Sequence, residues 1–168
     1  MAQDPNNYWE QLERLEKLIR ASELKAGVIF SFHSLILGLF ADRMNFFQSI
    51  FNESKVFIVL AILWIISVMI SIYFCFKCFM PRIESKFDKN VFFFKDAADA
   101  FGKMDDYVAK LNEVCENKDE LFKHLGEQIH VESKIIDRKF ASVQKSIWFF
   151  ALSFLFIVLM LIFWVFLL

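Results

Sequence analysis

Residues 21–41 read ASELKAGVIFSFHSLILGLFA, an apolar run that opens with Glu23 and Lys25 and carries His33 in its interior. About 20 such residues, wound as a helix, are long enough to cross the hydrocarbon of a bilayer. A carboxylate, an ammonium or an imidazole at that depth costs about 3 kcal/mol or more unless it finds a partner, so this helix does not stand alone in lipid. On a helical wheel, Glu23, Gly27, Ser31, Ser34 and Gly38 fall along one stripe. Small and polar side chains so arranged let helices approach closely and hydrogen-bond. Val28, Ile29, Phe32, Leu35, Ile36 and Leu39 form a lipid or packing face. The stripe has two readings: a seam between helices of one subunit, or a seam or pore lining in an oligomer.

Two further runs are long and apolar enough to span, 56–80 and 147–168. In lipid the backbone must satisfy its own hydrogen bonds, so all three are predicted as helices. The composition agrees: 57% hydrophobic residues and 23 Phe are too many for an ordinary soluble domain, and 4 Gly with 2 Pro are too few for a turn-rich β fold. The predicted class is therefore an all-α membrane protein with three transmembrane helices, an N-terminal amphipathic helix and a cytoplasmic helical hairpin. Residues 21–41 are not read as a cleavable signal, because a long charged segment precedes them. A net charge of −1 gives no field for nucleic acid, and no direct nucleic-acid binding is expected.

The amphipathic helix is 1–20. Leu12, Leu15, Leu18 and Ile19 make its apolar edge, and Glu13/Lys17 and Glu16/Arg20 are four-apart pairs on its wet side. Tyr8 and Trp9 are either interfacial anchors on the headgroups or part of a contact with another cytosolic helix. Residues 42–55, with Phe46, Phe47 and Phe51, read as a tight outside loop. In the second span Ser67, Ser71, Cys75 and Cys78 share a stripe. The C-x-x-C has no second pair and no nearby His, so it reads as small residues on a packing face rather than a redox or zinc site. Pro81 marks a joint.

Residues 82–146 are the soluble part, with 12 Lys/Arg against 13 Asp/Glu. Apolar residues recur mostly at steps of three and four through Phe87, Val91, Phe94, Ala98, Phe101, Val108, Leu111 and Cys115. They recur again through Phe122, Leu125, Ile129, Ile136, Phe140, Val143 and Ile147. With a turn at Asn117-Lys118-Asp119, this predicts a long antiparallel hairpin with coiled-coil-like seams. Basic residues cluster at Arg14, Lys17, Arg20, Lys25 and through 82–145, against only Arg43 and Lys55 in the first loop. The positive-inside rule then places the amino terminus and hairpin in the cytoplasm and the carboxyl terminus outside.

No glycine-rich phosphate loop, nucleophile–base arrangement or metal-ligand spacing is present. His124 and His130, six apart, read as satisfied surface histidines, and neither an enzyme nor a cofactor is expected. The oligomer-seam or pore-lining candidates are Glu23, Lys25, Gly27, Ser31, His33, Ser34, Gly38, Ser67 and Ser71.

The lead-in LIRASELKAG before the first span resembles the transmembrane domain of the Pycsar effectors, bacterial anti-phage membrane proteins with an acidic residue two before a Lys-Ala. Glu23 stands where that family usually has Asp, and Lys25-Ala26 matches. Pro81, Phe92-Phe93, and the run Leu125, Gln128-Ile129, Ser133, Ile136, Lys139 also look like the family's pattern. The resemblance implies an effector that oligomerises in the bacterial inner membrane and permeabilises it when an infection signal arrives, arresting the infected cell. Related systems use a cyclic nucleotide as signal, but this chain has no room for a cyclic-nucleotide-binding fold. Either the hairpin binds the signal or a partner protein does. The alternative reading is a non-conducting membrane anchor whose hairpin recruits a soluble defence protein, for example an RNA-guided nuclease.

Overall fold

The computed structural model describes residues 4–45, 54–80 and 89–167. The expectations for Phe46, Phe47, Phe51, Pro81 and Phe87 lie outside the described residues. Within them the chain is helical and holds no strand: α1 is Pro5–Asp42, α2 Lys55–Phe79, α3 Phe94–Asp99, α4 Met104–Glu116 and α5 Lys118–Leu167. Three of these, α1, α2 and α5, are long and apolar enough to cross a membrane. The chain divides into two compact units, residues 1–20 with 81–137 and residues 21–80 with 138–168.

In the first unit, Leu12 and Leu15 of α1 are buried, together with Val91, Val114, Leu125 and Val131. Tyr8 packs on Phe122, and Trp9 meets Phe92 edge to face at 5.4 Å. Of the two settings open to the amphipathic helix, packing against protein is thus the one observed. Asn117 closes α4 and also caps α5, its Oδ1 accepting from the backbone N–H of Asp119 at 3.1 Å. Asp119 and Glu120 follow in the first turn of α5, where carboxylates complement the helix dipole. Asn90, also buried, fastens the segment before α3 to α5: its Nδ2 donates to the His124 carbonyl at 2.8 Å and to Glu127 Oε2 at 3.2 Å.

The first arm of the hairpin departs from the predicted register. Gly102 sits at φ +75°, a left-handed conformation that L side chains avoid, and it separates α3 from α4. Counting a continuous helix across this break places the wrong residues inward. Phe94, Val108 and Cys115 are exposed, and Val114 is the buried residue of α4. His124 likewise corrects the surface reading. Its side chain is only 13% exposed, and its Nδ1 has no hydrogen-bond partner among the described residues.

The second unit is a bundle of α1, α2 and α5. Phe57, Ala61, Trp64, Val68 and Met160 form one core cluster; Ala26, Ile29, Cys75, Cys78 and Val143 form another, backed by Phe30 and Phe150. Ser54 caps α2, accepting from Phe57 N–H at 3.4 Å, and Lys77 stands in the last turn, where a cation suits the dipole. Large apolar side chains face outward along every helix: Phe32, Leu35 and Leu39 on α1, Ile62, Ile66 and Met69 on α2, Phe154, Leu155 and Ile162 on α5. So much contiguous apolar surface is untenable in water and natural in hydrocarbon.

Candidate functional site

The charges of the first span find a partner far along the chain. Lys139 of α5 is almost wholly buried, and its Nζ donates to Glu23 Oε1 at 2.7 Å and to the Cys78 carbonyl at 2.6 Å. Cys78 lies in the last turn of α2, whose carbonyls have no intrahelical donor. One ammonium therefore neutralises a carboxylate on α1, satisfies an orphan acceptor of α2, and places a cation at the negative end of that helix. Three helices meet in this clasp. Removing one partner of such a buried pair leaves an uncompensated charge, at a cost of about 3–5 kcal/mol.

A second polar contact joins α2 to α5. Ser71 Oγ lies 3.0 Å from the Ser146 carbonyl and 3.1 Å from Ser146 Oγ, and Ser146 Oγ donates in turn to the Ser71 carbonyl at 3.1 Å. Cys75 Sγ is 3.0 Å from the same hydroxyl. Small side chains permit this close approach, and each hydroxyl finds an acceptor out of water.

The sequence-derived candidates separate into three groups. Glu23 is in the clasp, and Ser71 is used inside the chain, as is buried Ser67, which bonds back to the Leu63 carbonyl. His33 is buried against the Phe150 ring, at 5.1 Å between centroids, and its Nε2 has no hydrogen-bond partner among the described residues. The rest of the α1 stripe faces outward except for Gly27, which is half-buried beside Phe79. Gly27 and Ser31 line an open groove of about 610 Å³ that also borders Glu23, Ser34 and Gly38 are exposed, and Lys25 lies over the Phe140 ring at 5.8 Å. The Ser31 and Ser34 hydroxyls turn back onto the carbonyls of Gly27 and Phe30. The face that packs inside the subunit is Ser22, Ala26, Ile29 and His33, next to the predicted stripe.

Sequence reasoning listed Lys139 within a motif but did not pair it with Glu23, and it gave Ser146 no role. A signal was present. Lys139 falls on the apolar edge Ile136, Val143, Ser146 at helical spacing, where an unpartnered ammonium has no reason to stand. Among the described residues, no three His, Cys, Asp or Glu side chains gather as a metal site.

Three apolar helices bundled around internal polar contacts, with an apolar exterior, define a multi-span helical membrane protein. The chain matches the family model described as the Pycsar effector protein domain over residues 7–166, and it belongs to that family of anti-phage defence effectors. It is similar to the Pycsar effector protein PtPycTM of Propioniciclava tarda, 24% identical over 143 residues that make up 83% of this chain and 69% of the relative. No solved structure matches it.

Proposed function

We propose that the chain oligomerises in the bacterial inner membrane and, when an infection signal is received, permeabilises it, so that growth stops. The observation that supports this reading is the Lys139–Glu23–Cys78 clasp. An inert anchor needs no charge in its bundle, because apolar residues of similar volume are as stable or more so. A device with two states does gain from one, since the clasp closes the bundle and its loss admits water to Glu23, His33 and Ser71. The outward face of Ser31, Ser34 and Gly38 is the surface on which copies would meet. In this reading the protein acts without catalysis, its amino terminus and the 82–146 region are cytoplasmic, and the signal is a cyclic nucleotide or a partner protein.

Release of a dye from liposomes carrying the purified chain, with and without cyclic mononucleotides, tests it. Release raised by a nucleotide supports the effector and identifies the signal; release without one supports the effector and assigns control to a partner. Liposomes that stay tight under every condition, including for Lys139→Ala, overturn it in favour of an anchor that recruits a soluble protein.

A further inference from the structure

The first unit contains a cavity of about 320 Å³ between α1, the turn before α3, and α5. Trp9 and Phe92 wall it with aromatic rings, Leu12 forms an apolar patch, and Gln128 and Glu132 present polar atoms from α5. Glu13 and Glu16 complete the lining, each already paired along α1 with Lys17 and Arg20. Glu132 differs from them. Its Oε1 accepts from Gln128 Nε2 at 3.0 Å, while its Oε2 is shielded from solvent and has no hydrogen-bond partner among the described residues. Burial pushes this carboxyl above the usual range, the Gln128 bond pulls it back, and the neighbouring Glu16 charge adds to the rise. A carboxylate in that position has one neutral donor, Gln128, and no compensating charge.

We infer that this cavity binds a guanidinium or ammonium group carried on a flat or apolar body, with the Glu132 carboxylate as its counter-charge and the mutually perpendicular Trp9 and Phe92 rings as one aromatic wall beside it. A buried carboxylate beside aromatic rings is the arrangement that holds such cations, by charge-assisted hydrogen bonds and by attraction to the ring faces. With Glu13 and Glu16 paired to Lys17 and Arg20, the unpaired Glu132 leaves the lining net acidic, which disfavours a nucleotide's anionic end. The volume is near the lower limit of small-molecule sites and suits one arginine-sized group. The cation comes either from a free amine or from a basic side chain of another polypeptide. This inference does not rest on membrane permeabilisation.

Isothermal titration of the full chain in lipid nanodiscs, with agmatine and with a short peptide containing one central arginine, tests it. Saturable binding that weakens at least about tenfold in Glu132→Gln is expected, since a hydrogen bond to a charged group is lost. Trp9→Ala should weaken binding and Trp9→Phe should restore most of it, which separates loss of a ring from loss of fold. Binding of agmatine supports a free amine as ligand; binding of the peptide alone supports a protein partner. Absence of binding by either up to about 10 mM, or affinity undiminished in Glu132→Gln, overturns the inference.

Discussion

Glu13 and Lys17 in the first unit are 2.7 Å apart, and so are Glu23 and Lys139 in the second, yet the two pairs belong to different physical regimes. The first joins neighbours on one helix with side chains 63% and 72% exposed; in the second, the Lys139 side chain is 9% exposed. Water and salt screen the exposed pair, whose worth is close to zero. In the second pair the Lys139 ammonium is almost wholly out of reach of solvent while Glu23 is partly exposed, so the ammonium depends on its carboxylate far more than Lys17 does. Equal bond lengths say nothing of equal energies; the surroundings decide.

Four substitutions test this contrast. The largest effect is expected from Lys139→Ala, which strands Glu23 and the Cys78 carbonyl. It should lower stability in detergent micelles by about 3 kcal/mol, the low end for a buried pair because the Glu23 side chain is 40% exposed. The exchange Glu23→Lys with Lys139→Glu should recover part of this, but not all, because a carboxylate cannot donate to Cys78. A Lys139→Ala loss no greater than that of Glu13→Gln would abolish the distinction.

Next comes Ser146→Val, which removes the hydroxyl shared by Ser71 and Cys75. It should cost about 1–3 kcal/mol in the same thermal assay. A smaller effect is expected from Glu132→Gln, and it should depend on pH. The folded protein holds the Glu132 proton more tightly than the unfolded chain does, so wild-type stability falls as pH rises from the ordinary value near 4.5 to the raised one. The variant should therefore melt above wild type at neutral pH, with the advantage vanishing below about pH 4.5. An advantage independent of pH would refute the burial of that charge. Smallest of all, Glu13→Gln should leave the melting midpoint where it is, at low and at high salt.

The three spans were legible because composition and length suffice to identify them, and Asn117 marked the turn between α4 and α5 by its side-chain chemistry. The first arm of the hairpin was not legible in register. One glycine's positive φ resets the helical count, and nothing in the apolar spacing around Gly102 distinguishes a break from a tolerated singleton. The site was half legible. That Glu23 needs a partner followed from the cost of charge in lipid, but its identity did not, because Lys139 is 116 residues away and a single sequence has no term for that distance. Which helix meets the α1 stripe of Gly27 and Ser31 stays open in the sequence, since small residues mark close approach without saying whether the approaching helix belongs to the same chain.

That same separation of 116 positions sets a clock on biosynthesis. At about 5–20 residues per second, roughly 6 to 23 seconds elapse between synthesis of Glu23 and of Lys139. During that interval the first two spans are made while the acid of the first has no counter-ion. The newborn chain carries that acid without its Lys139 partner until the last span follows. The order of translation thus makes the last span the step that completes the first.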